Sequence, residues 1–127
     1  MLDDEDAAAL KAAEVEAVVE QWGEGFRALA SNPRLRFEGE EIAIVLWKPI
    51  KITGQDAAEL KMREPTLNDL GQLDNLRGQM LQARRLVVAC CAITDREAGA
   101  IGMRDMGLIA LVAEAFTGAA RSTGATL

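Results

Sequence analysis

The spacing of apolar positions along the chain changes twice. From Asp3 to about Ser31 they recur at intervals of three and four, and Val15, Val18, Val19, Trp22, Phe26 and Leu29 draw one stripe down a helix. Asp3, Asp4, Glu5 and Asp6 put negative charge at the helix N-terminus, where unpaired backbone amides favour it. The Ala-rich segment from Ala7 to Ala13 is strongly helix-forming. Gly23 and Gly25 predict a bend, and Asn32-Pro33 predicts the stop. The stripe serves either the chain's own core or an oligomer seam. At about two heptads it is short for a self-sufficient coiled coil.

From Arg36 the period changes. Ile42 to Trp47 is a β-branched apolar run, Pro49 limits how the strand pairs, and Ile50 and Ile52 alternate with Lys51. Thr53-Gly54-Gln55-Asp56 signals a turn, after which Ala58, Leu60 and Met62 alternate with Glu59, Lys61 and Arg63. These features predict one β-hairpin over about 42–63 with a greasy face, and such a hairpin needs a partner surface.

Helical spacing then returns. Thr66 followed by Asp69 is a capping pattern, and Leu67, Leu70, Leu73, Leu76 and Met80 form the expected buried stripe. Gly78 separates this segment from a more buried helix over about Leu81 to Ile93. Thr94 and Glu97 repeat the cap, and a last helix from Met103 to Phe116 puts Met106, Ile109, Ala110, Ala113 and Phe116 on one face, with Gly118 as its stop. The expected fold is α+β and predominantly helical: an N-terminal amphipathic helix (1–36), a hairpin-plus-helical-bundle unit (37–118) and a flexible tail (119–127).

Composition narrows the chemistry. A chain of 127 residues buries roughly two-thirds of its unfolded surface, enough for a core without disulfides or metals. Aromatic residues are only 4% of the chain, so aliphatic side chains must build most of that core. There is no His, which removes imidazole bases, His-containing triads and zincin sites. The net charge of −6 disfavours nucleic acid and anionic membrane surfaces as partners. No run approaches the roughly 18 apolar residues of a membrane span.

The remaining chemical candidates are carboxylates and thiols. Asp69 with Asp74, or Asp95 with Asp105, are conceivable acid/base or metal pairs. Each has a simpler reading: Asp69 and Asp95 belong to helix starts, and Asp74 and Asp105 fall on polar faces. The adjacent Cys90 and Cys91 lie in an apolar run and read as buried small hydrophobes of a reducing cytosol. No catalytic residue, cofactor site or metal site is expected, which favours a binding protein over an enzyme.

Lys48-Pro49-Ile50, Gly54, Leu60-Lys61-Met62-Arg63-Glu64-Pro65-Thr66 and Asp69-Leu70 together resemble the tail assembly chaperones of long-tailed bacteriophages, the Mu-like group. Thr94, Asp105, Leu108, Val112 and Phe116 fit the later part of that pattern loosely, so the resemblance covers roughly Val45 to Phe116. It implies a chaperone that coats the long helical tape-measure protein, helps recruit tail-tube subunits, self-associates, and stays in the host cytoplasm rather than in the finished particle. Lys48, Pro49, Gly54, Arg63, Glu64, Pro65, Thr66 and Asp69 then carry the family motif. Residues 1–36 lie outside the pattern and read as an added partner-binding or oligomerising element. The alternative reading is a structural tail-completion or head–tail connector subunit.

Overall fold

The computed structural model describes residues 3–73 and 76–126. Its elements run α1 (Asp4–Trp22), a 3-10 turn (Glu24–Phe26), β1 (Leu35–Glu38), β2 (Glu41–Ile52), β3 (Gln55–Arg63), α2 (Leu67–Gly71), α3 (Gln79–Cys90), α4 (Asp95–Gly99) and α5 (Met103–Thr126).

The strands form one antiparallel sheet in the order β1-β2-β3. This corrects the expected fold, a single β-hairpin followed by a small helical bundle, since the sheet has a third strand. Leu35-Arg36-Phe37-Glu38 alternates apolar and polar side chains, and it pairs with β2 in the register Leu35↔Ile44 and Phe37↔Ile42. Four residues are too few to stand out as a strand by periodicity, and the element exists because β2 supplies its hydrogen bonds. The helices pack on one face of the sheet. Leu35, Ile42, Ile44, Leu60 and Met62 share one buried cluster with Val87 of α3 and Ile109 and Val112 of α5. The opposite face is polar, and Arg36 reaches across β2 to Glu59 at 2.9 Å.

The N-terminal helix also departs from expectation. α1 opens as predicted, with the Asp3 carboxylate accepting the Asp6 N–H at 2.7 Å. It stops at Trp22, nine residues before Ser31, because Gly23 takes φ 110° and turns the chain. No residue of α1 is buried, so it is not the expected amphipathic helix with a committed apolar face. Val15, Val18, Val19 and Trp22 are half-buried, whereas Phe26 and Leu29 lie beyond the helix in the main core. Trp22, Phe26, Phe37 and Phe116 meet edge-on, with the Phe26 and Phe116 rings 4.8 Å apart. Gly25 allows this close approach, since a Cβ there would meet the Ala115 carbonyl oxygen at 3.0 Å.

The turn and cap signals form as the residue types predict. Thr53 (φ 52°) and Gly54 (φ 84°) make a two-residue turn with both φ angles positive, the conformation that matches strand twist in a hairpin. Thr94 accepts the Glu97 N–H, and the Glu97 carboxylate accepts N–H groups from Thr94 (2.9 Å) and Thr53 (2.7 Å). One glutamate therefore caps α4 and ties it to the hairpin turn, and these backbone bonds hold its carboxyl below the usual range. Burial pushes the Cys90 thiol up to about 11 and the Cys91 thiol up to about 12, and neither forms a disulfide. Of the stripe expected to be buried after Thr66, Leu70 and Leu73 pack on the core. Leu67, the first residue of α2, and Met80, which falls in α3, are exposed. α5 continues to Thr126, past Gly118. No helix among the described residues is long and apolar enough to cross a membrane.

Candidate functional site

The motif residues fall at two places on the β2–β3 hairpin. At the first, β3 runs into α2. Pro65 ends the strand, and Thr66 caps α2 in a capping box with Asp69. The Asp69 carboxylate accepts the Thr66 N–H at 2.7 Å and the Thr66 hydroxyl at 2.9 Å, and it pairs with Arg63 at 2.7 Å. Arg63 also donates to the carbonyls of Glu64 and Ala89, so the same guanidinium reaches α3. Arg63 and the Thr66 backbone hold the Asp69 carboxyl well below the ordinary carboxylate range. Arg63, Glu64, Pro65, Thr66 and Asp69 thus make one interlocked junction among a strand and two helices. Arg63, Glu64 and Thr66 also line an open cleft of about 1000 Å³ beside Glu38, Glu41 and Trp22.

The second place is a bulge. Val45 pairs with Glu59 and Ile50 with Ala57, so Leu46, Trp47, Lys48 and Pro49 oppose the single residue Ala58. Such a bulge strips backbone N–H groups of strand partners. Asp105 of α5 restores them: its carboxylate accepts from Trp47 N–H at 2.8 Å and from Lys48 N–H at 3.1 Å. Pro49 has no N–H to satisfy. Arg34 supplies the countercharge by donating to the same carboxylate, and its backbone and Nε bond Val45 at 2.8 and 3.0 Å. Asp105 is 1% exposed, which corrects its expected place on a polar face. A buried carboxylate needs this full set of donors and a countercharge.

The bulge presents Trp47. Four of the chain's five aromatic residues form the internal cluster, while Trp47 is 61% exposed. The Arg34 guanidinium lies 5.2 Å from its ring centroid and that of Arg104 4.9 Å. Lys48 packs its stem beside Gly102, and Met103 at the start of α5 is 72% exposed. An exposed aromatic ring with two arginines against it, on a bulge held by a buried carboxylate, has the residue make-up of a binding hot spot.

The described carboxylates of the conceivable catalytic pairs have other partners. Asp69 and Asp105 are each occupied by an arginine and backbone donors, and Asp95 pairs with Arg84 at 2.9 Å. Asp74 lies outside the described residues. Among the described residues no group of three or more Cys, Asp or Glu is placed to hold a metal ion.

Of the stripe proposed for partner contact, Phe26 and Leu29 are core residues, and Val18 and Trp22 pack against that core. Trp47, Arg34 and Arg104 escaped the reading of the sequence, in which Trp47 was one more apolar residue of a strand. The usable signal was Pro49, which forbids regular pairing just after an aromatic side chain. Comparison with models of known protein families, with curated proteins and with solved structures finds no match.

Proposed function

We propose that this chain is a tail assembly chaperone of a long-tailed bacteriophage, a non-enzymatic protein that binds the tape-measure protein and helps bring tail-tube subunits to it in the host cytoplasm. The supporting observation is the coherence of the motif. Arg63, Thr66 and Asp69, the most distinctive part of the resemblance, interlock at one junction, and Lys48-Pro49 forms the bulge. A motif that builds a scaffold is compatible with a family that works by binding.

The described surface adds a second support. Leu10, Trp47, Leu67, Met80, Leu81, Met103 and Leu111 are all more than half exposed. Scattered apolar and Met side chains on an acidic protein suit an adaptable grip on an extended helical client. Self-association along such a client belongs to the same proposal.

Co-expression with the long helix-rich chain of the same phage tests it. The expected outcome is that the client moves from the pellet to the supernatant, and that this chain is absent from purified particles. A client left in the pellet, or this chain in particles in stoichiometric amount, overturns the reading and favours the connector alternative.

A further inference from the structure

Charge is divided unevenly along this molecule. Through Trp22 the chain has seven acidic residues (Asp3, Asp4, Glu5, Asp6, Glu14, Glu16 and Glu20) against Lys11 alone. The whole net charge of −6 therefore belongs to this segment, and the remaining residues balance at thirteen acidic and thirteen basic. α1, which carries that charge, buries no side chain. Its half-buried positions Val15, Val18 and Trp22 face the body, leaving Ala9, Leu10, Ala13, Ala17 and Glu20 exposed. The result is a helix face of small apolar residues edged with carboxylates.

The Trp47 patch is its complement. The ring offers a flat apolar surface, Arg104 lies over it and Lys48 follows it in the bulge, while the Asp105 carboxylate is buried and spent on Arg34 and the bulge N–H groups. Within one chain α1 is held elsewhere. Glu16 pairs with Arg27 at 2.6 Å, and Trp22 stacks edge-on against Phe37 and Phe116. Trp47 stays open.

We propose that the Trp47–Arg104–Lys48 patch receives the acidic outer face of α1 from a second copy of this chain. Each copy carries one of each surface, so copies join either reciprocally, as a closed two-fold pair, or head-to-tail into a ring or filament. Charge complementarity steers the encounter, and the alanines let the α1 backbone approach the indole ring closely. This deepens the self-association within the proposed function and rests on that reading only for its biological use. The contact itself is a property of the purified chain.

The test uses the full chain without client. At about 50 µM in low salt the wild type should sediment as oligomers, and at about 0.5 M NaCl, where screening extends over only a few ångströms, it should shift toward monomer. R104E disables the patch, and A9R/A13R sets two bulky positive charges on the small-residue helix face with a good helix former. Each variant alone should associate at least about tenfold more weakly than wild type. Mixed in equal amounts they should form a one-to-one dimer that grows no further, because each supplies only the surface the other lacks. Should R104E alter the circular-dichroism spectrum, W47Q takes its place.

A monomeric wild type, variants that associate like wild type, or a mixture that stays monomeric overturns the proposal. Association abolished by R104E but untouched by A9R/A13R also overturns it, by assigning the patch a different occupant. A monomeric wild type that still keeps the tape-measure chain in solution leaves the chaperone reading standing. Loss of client solubility with association intact overturns that reading alone.

Discussion

Asp69 and Asp105 are two buried carboxylates with the same chemical task and opposite origins in the chain. Each neutralises an arginine and accepts from the backbone, Asp69 one N–H at the β3–α2 junction and Asp105 two under the β2 bulge. Asp69 finds its partners three and six residues away, at Thr66 and Arg63. Asp105 finds its own 57, 58 and 71 residues away, at Lys48, Trp47 and Arg34. The first can form as soon as α2 nucleates. The second exists only once the sheet and α5 have docked, so it reports on the tertiary fold rather than on a local motif.

Substitution should separate the two. Asp105→Ala leaves Arg34 and two bulge N–H groups without their acceptor in a closed site, and it should cost about 3–5 kcal/mol in urea unfolding. A loss below about 1 kcal/mol would mean that water replaces the carboxylate and the bulge is not pinned. Asp69→Ala should cost less, about 2–3 kcal/mol, because Arg63 is partly exposed and can turn to solvent. Its signature is pH dependence. The folded carboxyl of Asp69 titrates below its unfolded value, so its contribution is fully present above about pH 4 and is lost as pH falls further toward the folded value. Asp69→Asn should flatten that acid limb of the stability profile, and an unchanged limb would remove Asp69 from its cause. Thr94→Ala is expected to be smallest, about 1 kcal/mol from a lost cap. A larger loss would show that the Glu97 link to Thr53 depends on that cap.

The same division explains what could be read from the sequence. Thr66 with Asp69, Thr94 with Glu97, and the Thr53-Gly54 turn were legible because each signal and its partner lie within a few residues. The face Met106, Ile109 and Ala113 was legible because α5 keeps one period against one surface. β1 was not, since its four residues become a strand only beside β2. The end of α1 was misplaced because the stripe continues through Phe26 and Leu29, which reach the core after a turn at Gly23 and not along a helix. Asp105 looked like a polar-face residue because nothing near it in sequence reveals the bulge it serves. The candidate site inherits that difficulty: Trp47 is displayed by a bulge whose support comes from distant residues.

The buried Cys90 thiol and its half-buried neighbour Cys91 have a practical consequence. At neutral pH a thiol displaced to about 11 holds roughly two to three orders of magnitude less thiolate than an ordinary cysteine, and thiolate is the form that reacts with maleimides and oxidants. Cys90 and Cys91 should therefore stay silent while a cysteine introduced at exposed Lys61, on the polar outer face of the sheet, is modified within minutes. The native pair need not be removed first, so a single dye can be placed on the folded chain, well away from its core, to follow assembly by fluorescence.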